Sequence, residues 1–349
     1  MSSTKIVIDN GSGTIKVGFH SDLKPVAVSS VIGRSLYRNA FDSSSPSITF
    51  FNDDAQRNRG IVRLKRPIQR GVVTDWNDME CIWDSIFQNV LKCDPKEHAV
   101  VITESPLNPK VNGHRIKEIM FETFNVHSLY IHKGATLPVL SLCGKGQTSG
   151  LILDSGHEVT HCVPIYDGQQ IDDGILRADL GGNDVTDYFL RLLAQKSYFF
   201  EGRAEREIVR EIKERVCGFE RKDIVEYELP DGTVLLVREE RYEAPELVFD
   251  PKLNGMNVRG FDELISDSVM KCAPKIRSKL LENVVLSGGN TLFEGMAGRL
   301  EEALEGRNGC TCDIGVSAPD DRLFSIWKGA AVLASMPSFD DQFITKSEV

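Results

Sequence analysis

Lys5-Ile-Val-Ile-Asp9, then Asn10-Gly11-Ser12-Gly13, then Thr14–Phe19 is the stretch on which the reading of this chain turns. An apolar run ending in aspartate reads as a buried strand, the Asn-Gly-Ser-Gly cluster as a turn, and the next segment as a returning strand. The same order returns at Gly150. Leu151-Ile-Leu-Asp154 is followed by Ser155-Gly156 and a second strand over 159–166. Recurrence of strand, Asp-x-Gly turn and strand predicts two similar lobes in one chain. Length agrees, because 349 residues exceed the roughly 250–300 at which a single core stops growing.

Composition narrows the function. Apolar residues make up 41% and charged residues 26%, as in a soluble globular protein. The net charge of −10 argues against a phosphate-backbone binder, and no basic run or nucleic-acid motif offsets it. No stretch of about 18 apolar residues exists, so membrane insertion is not expected. The N-terminus runs from Met1-Ser-Ser-Thr-Lys into a strand without a hydrophobic signal core. The cysteines are scattered through apolar segments, apart from Cys310-Thr311-Cys312, and read as reduced thiols of a cytosolic protein.

Between the two hairpins, helices alternate with strands, which predicts a mixed sheet flanked by helices. Asp75 is placed to cap a helix in which Met79, Ile82, Trp83, Ile86, Phe87, Val90 and Leu91 form the inner face. A strand over 98–103 precedes a helix over 110–124 with Ile116, Ile119, Met120 and Phe124 inward. A short strand over 127–131 and a helical segment over 137–142 follow. Ser43-Ser44-Ser45-Pro46 reads as a mobile excursion. Later, 205–217 reads as a helix with Ile208, Ile212 and Val216 on one stripe, and Glu228-Leu-Pro-Asp-Gly232 as a tight hairpin turn. Asn283-Val-Val-Leu-Ser287 reads as a buried strand entering Gly288-Gly289, before a helix through Met296 and Leu300.

Each Asp-x-Gly hairpin sets a carboxylate at a strand end and exposed N–H groups in the turn, where glycine allows close approach of an anion. Facing each other, two such hairpins would hold a phosphate chain. Asp9 and Asp154 would stand near a magnesium ion reached through waters, and Lys16 would add a point charge. An isolated Asp-x-Gly is an ordinary structural turn; two copies after matching strands favour the phosphate reading. No GxxxxGK[ST] occurs, which removes the P-loop alternative.

These motifs resemble the actin family. Asp9-Asn-Gly-Ser-Gly-Thr-Ile-Lys16 is similar to its first phosphate loop, and Asp154-Ser-Gly156 with Val159-Thr160-His161 to its second. Asp179-Leu-Gly-Gly-Asn-Asp184, Arg206-Glu-Ile-Val-Arg210, Tyr227-Glu-Leu-Pro-Asp-Gly232 and Leu286-Ser-Gly-Gly289 extend the likeness over nearly the whole chain. The resemblance implies an α/β actin-like fold of two ribonuclease-H-like lobes around a central nucleotide cleft, in four subdomains. These are 1–30 with 68–140 and 325–349; 31–67; 141–180 with 258–324; and 181–257. It implies ATP or ADP with Mg2+ as ligand. Ser12, Gly13, Thr14, Lys16, Gly156, His157, Glu158 and Val159 would lie at the phosphates. Gly182, Lys213, Glu214, Gly288, Gly289, Asn290 and Phe293 would lie at ribose and adenine, Asp9 and Asp154 at the metal, and His161 near the attacking water. Implied partners are itself or actin in filaments, or a fixed protein complex, with actin-binding proteins besides. The implied setting is cytoplasmic and cytoskeletal, with the nucleus left open.

Departures from the family pattern carry their own expectations. His157-Glu158 replaces Asp-Gly. A non-glycine residue held left-handed there would cost about 1–2 kcal/mol. A Glu158 carboxylate about 4 Å from a phosphate charge would be repelled by about 4 kcal/mol at an effective dielectric of about 20, unless it turns away to solvent. The family's water-positioning glutamine has no counterpart in Ile131-His-Lys-Gly-Ala-Thr-Leu-Pro138, where His132 reads as an exposed loop residue or a substitute. ATP binding with slow hydrolysis is therefore expected. The tip loop (40–53) loses its glycine-rich sequence, the plug-like stretch 252–260 is unusually polar, the stretch between Cys217 and Tyr227 is short, and the chain stops soon after Ile344-Thr-Lys346. A divergent filament-forming actin competes with an actin-related subunit or filament-end nucleator using ATP as a structural ligand. A sugar kinase or chaperone-type ATPase ranks last.

Overall fold

Alternate residues of the first strand, β1 (Lys5–Asp9), serve two different cores. Ile6 and Ile8 bury on one face with Met79, Ile82, Trp83 and Phe87; Val7 buries on the other with Leu137, Trp327, Ala330 and Ala334. A strand covered on both sides needs an uninterrupted apolar run, and that is what Ile6-Val7-Ile8 supplies. The computed structural model describes residues 4–36, 48–139, 148–220, 224–308 and 313–348. The chain divides into two compact units, Met1–Ser141 with Phe324–Val349, and Leu142–Leu323.

In the first unit β2 (Thr14–Phe19), β3 (Val26–Ser29), β4 (Ile32–Ser35), β5 (Thr49–Phe51) and β6 (Val62–Lys65) follow β1. The short pair β7 (Ile68–Gln69) and β8 (Val72–Val73) precedes β9 (Ala99–Glu104) and β10 (Ser128–Lys133). The main sheet runs β10-β9-β1-β2-β3, and β5-β4-β6 form a separate small sheet. Neighbours β10, β9 and β1 are parallel, whereas β2 returns antiparallel to β1. Asp75 caps the helix Trp76–Ser85 by accepting from the Asp78 N–H at 3.0 Å. Beyond it Ile86–Leu91 continues with wider π-type turns, and Lys110–Glu118 passes into Ile119–Thr123 in the same way. Expected inward residues of both helices are buried, with Val90 and Leu91 at the margin. On the opposite face the helix Ser325–Ser335 docks Trp327, whose indole N–H donates to the Val7 carbonyl at 3.1 Å.

The second unit holds β11 (Gly150–Ser155), β12 (Thr160–Tyr166), β13 (Gln169–Gln170), β14 (Leu176–Ala178), the hairpin β15 (Val225–Glu228) and β16 (Val234–Val237), β17 (Val284–Ser287) and β18 (Val316–Ser317). Its sheet runs β13-β12-β11-β17-β18, with β14 also on β12. β12 is antiparallel to β11, while β17 and β18 are parallel to it. This is the arrangement of the first unit again: a leading hairpin, then parallel neighbours on the far side. Leu151, Leu153, Val185, Phe189, Val209, Ile212, Leu264 and Leu286 share its core.

Several boundaries differ from expectation. The second hairpin's return strand starts at Thr160, not residue 159, and the helix expected over 205–217 spans Arg203–Val216. On that helix Val209 is fully buried while Ile208 is half-buried, because the inner stripe is centred one residue later than the i, i+4 count suggests. His132 does not lie in a loop: β10 extends through it to Lys133, since pairing with β9 continues to Glu104. The segment after β10 is a short 3-10 turn, Gly134–Val139. Ser43–Pro46, residues 40–47 of the tip loop, 140–142 of the helical segment, and Cys143, Cys310 and Cys312 lie outside the described residues. No helix among the described residues is long and apolar enough to cross a membrane.

All three tryptophans, Trp76, Trp83 and Trp327, belong to the first unit. Trp327→Ala should destabilise that unit by about 3–5 kcal/mol. A lower urea midpoint in the fluorescence of the remaining two tryptophans is the expected result.

Candidate functional site

The strand-end aspartates are held in the same way in both units. In β1, Asp9 stands beside Thr103 of parallel β9 and Lys16 of antiparallel β2. In β11, Asp154 stands beside Ser287 of parallel β17 and His161 of antiparallel β12. Thr103 Oγ1 donates to Asp9 Oδ1 at 2.7 Å, and Ser287 Oγ donates to Asp154 Oδ1 at 2.8 Å. Each carboxylate thus has a hydroxyl on its parallel neighbour and a basic side chain on its antiparallel one. Register partners in a sheet share a face, so these are neighbouring side chains by construction.

The first turn is fixed from several sides. Asp9 is buried, and Lys16 Nζ lies 3.5 Å from its Oδ2; a buried carboxylate needs such partners. Asn10 donates its N–H to Thr103 Oγ1 at 3.2 Å and accepts from the Trp83 indole at 3.2 Å. A Cβ on Gly11 would sit 2.4 Å from the Thr14 carbonyl, so only glycine fits. The Gly13 carbonyl accepts from the Ser30 N–H at 3.0 Å and from Arg66 Nη1 at 3.1 Å. Ser12 is buried, and Gly13 and Thr14 lie at the tip and at the start of β2.

In the second unit the turn at residues 156–159 closes through Gly156 N–H to the Val159 carbonyl at 3.0 Å. Gly182 N–H donates to the Gly156 carbonyl at 3.0 Å, which joins the turn to the start of the helix Gly182–Gln195. Lys213 Nζ donates to the Gly182 carbonyl at 2.7 Å. A Cβ on Gly182 would lie 3.2 Å from Asn290 Oδ1 and 3.3 Å from Lys213 Nζ, so all three residues converge. Asn290 also donates to Ser155 Oγ at 3.0 Å. Gly288 has φ +86, and a Cβ there would meet the Ser155 carbonyl at 2.3 Å. Gly289 opens the next turn, and Phe293 is buried edge-on to Phe219. Glu214 is not drawn into this group; it is exposed and paired with Arg210 at 2.9 Å.

Burial lowers the Lys213 ammonium to about 8, with Glu214 opposing the shift. Cys162 and Cys217 are pushed up to about 12 by burial and are unreactive thiols. Every described cysteine is free of disulfides. His132 turns Nδ1 to the Lys133 carbonyl at 2.9 Å, and burial pushes its pKa down.

The strain expected at His157-Glu158 is absent: neither residue has a positive φ. The preceding Gly156 is not left-handed either, so the turn accepts side chains without the left-handed penalty. Glu158 is half-buried, and its backbone packs against Gly181, where a Cβ would meet the Glu158 N at 2.6 Å.

Thr103, Ser287, Arg66, Trp83 and Ser155 were not among the residues expected at the site. Thr103 and Ser287 share one signal, a hydroxyl residue following the apolar run of a buried strand in Ala99-Val-Val-Ile-Thr103 and Val284-Val-Leu-Ser287. Arg66 and Trp83 have no comparable pattern. A magnesium ion held mainly by water and phosphate needs only isolated carboxylates near it. Asp9 and Asp154 suit that role, and among the described residues no cluster of three or more His, Cys, Asp or Glu would hold a metal unaided.

Two units of one topology, each with a strand-end aspartate beside a glycine turn, define a duplicated α/β protein. The family model described as Actin matches residues 1–349, the whole chain, and the chain belongs to the actin family.

Lys213 provides a pH test. Its folded pKa of about 8 lies below the ordinary 10.5, so the unfolded chain binds more protons between these values and stability rises with pH across that window. Wild type should gain on Lys213→Met in urea midpoint as pH rises from 8 toward 10.5; parallel curves would contradict the buried-ammonium assignment.

Proposed function

We propose that this actin-family chain binds ATP or ADP with Mg2+, hydrolyses ATP slowly, and serves in the cytoskeleton with altered polymer contacts. Members of the family generally bind ATP or ADP with a divalent metal. The observation that carries the reading is the matched setting of Asp9 and Asp154, each fastened by a hydroxyl at 2.7–2.8 Å beside a glycine turn. Ser12, Gly13, Thr14, Lys16, Gly156, His157, Glu158 and Val159 would meet the phosphates. Gly182, Lys213, Glu214, Gly288, Gly289, Asn290 and Phe293 would meet the nucleoside. Magnesium would neutralise phosphate charge through waters oriented by the two aspartates. The division into four subdomains belongs to the same proposal, as does a cytoplasmic setting.

Slow hydrolysis follows from the segment after β10. The stretch 131–138 contains no Gln or Asn side chain to position water. Leu137 is buried, and Thr136 Oγ1 is spent on the Lys133 carbonyl at 2.9 Å. His132 is directed to that same carbonyl. His161, buried on β12 beside Asp154, would orient the attacking water.

A second reading, a non-polymerising subunit or filament-end nucleator, is favoured by the stretch 252–260. Met256 and Val258 turn inward against the core of their own unit, while Lys252, Asn257 and Arg259 are exposed. Burying apolar area stabilises an interface by about 25 cal/mol per Å², and among the exposed residues of this stretch Leu253 is the one large apolar side chain on offer.

Purified protein should retain nucleotide through Mg-ATP gel filtration, identified by chromatography, and release phosphate more slowly than conventional actin. Lys16→Ala should weaken ATP binding about tenfold or more through loss of a charge-assisted contact. Sedimentation in Mg-ATP separates the readings: pelleted filaments support the polymer-forming one, and a soluble monomer that keeps ATP supports the subunit.

A further inference from the structure

Arg66 reaches the backbone of the first turn. Its Nη1 lies 3.1 Å from the Gly13 carbonyl and 3.5 Å from the Ser12 carbonyl. A trans peptide points its N–H opposite to the preceding C=O, and no cis bond occurs among the described residues. Drawing these two carbonyls toward Arg66 therefore turns the N–H groups of Gly13 and Thr14 the other way. It also keeps the partial negative charge of both oxygens off any anion on that side.

The base of Arg66 is anchored. Lys65, at the end of β6, forms ion pairs with Asp75 and Asp78 at the start of the helix Trp76–Ser85. Pro67 follows Arg66, and its carbonyl accepts from the Thr74 N–H at 2.8 Å. The same helix supplies Trp83, which holds Asn10 at the opposite end of the turn. The turn is thus gripped at both ends from one helix, through Trp83 directly and through Lys65 and Arg66.

We propose that Arg66 is a positioning residue for the first phosphate turn, orienting the N–H groups of Gly13 and Thr14 toward a bound nucleotide's phosphates. The proposal rests on the nucleotide reading given above. Arg66 acts through the turn and not as a phosphate ligand, so its loss should affect phosphate-bearing ligands selectively.

Arg66→Met and Arg66→Lys in the full chain provide the test, with ATP and adenosine affinities measured beside amide hydrogen exchange over residues 10–14. Arg66→Met should speed exchange in this turn about tenfold and weaken ATP binding about tenfold, equal to about 1.4 kcal/mol, with adenosine affinity unchanged. Arg66→Lys, which keeps a cationic donor, should fall between and carries the comparison if Arg66→Met does not fold. Unchanged exchange and ATP affinity in Arg66→Met would overturn the inference while leaving the nucleotide reading intact. Equal loss of ATP and adenosine binding would also overturn it, since that marks general scaffolding. A wild type that binds neither ligand overturns the nucleotide reading and the phosphate-orienting role with it, and the exchange data then decide only whether Arg66 holds the turn.

Discussion

A hydrogen bond from a strand-end hydroxyl to an aspartate on the neighbouring parallel strand underlies both halves of this molecule. Thr103 to Asp9 and Ser287 to Asp154 occupy equivalent places in two sheets of the same topology. Removing the Thr103 hydroxyl would take a donor from the buried Asp9 carboxylate, a costly change away from bulk water. The glycine turns follow from the same placement. In the first unit the chain reverses straight after the aspartate and the space left at Gly11 excludes a Cβ, whereas in the second the tight glycine is Gly288, beyond Ser287, and Gly156 after Asp154 has ordinary room.

Around those pairs the two units differ in how they secure the turn. In the first, long side chains from elsewhere reach in: Arg66 to two carbonyls and Trp83 to Asn10. In the second, backbone and short side chains dominate, with Gly182 bonded to Gly156, Asn290 to Ser155, and Lys213 buried beneath Gly182. A buried ammonium pushed down to about 8 reflects a closely packed interior there. The substitution that looked most damaging, His157-Glu158 for Asp-Gly, has no positive φ, so the left-handed strain expected of it is absent.

Much of the architecture was legible along the chain. Strand periodicity located both hairpins, the Asp75 cap marked its helix, and the recurrence of strand, Asp-x-Gly and strand announced two related units. The family motifs then covered the rest, and the match over residues 1–349 agrees. Neighbours inside contiguous motifs were readable as neighbours: Lys16 comes back beside Asp9, and Gly288 to Asn290 form one turn. Those contributed from a distance were not. Arg66 lies 53 positions from Gly13 and acts only because the end of β6 is pinned to a helix. His132 misled for a related reason: the polar residues around it resemble a loop, yet pairing with β9 extends the strand past it.

By itself the sequence determined what depends on neighbours in the chain: buried strands, glycine turns, helix caps and the aspartates that end the leading strands. Those are set by short-range sterics and by burial of apolar runs. Only the tertiary structure decided which hydroxyl meets each aspartate, which cation grips the first turn, and whether His157 and Glu158 are strained. Register, side-chain reach and backbone torsion arise when segments far apart in the chain are brought together, so no local pattern of residues encodes them.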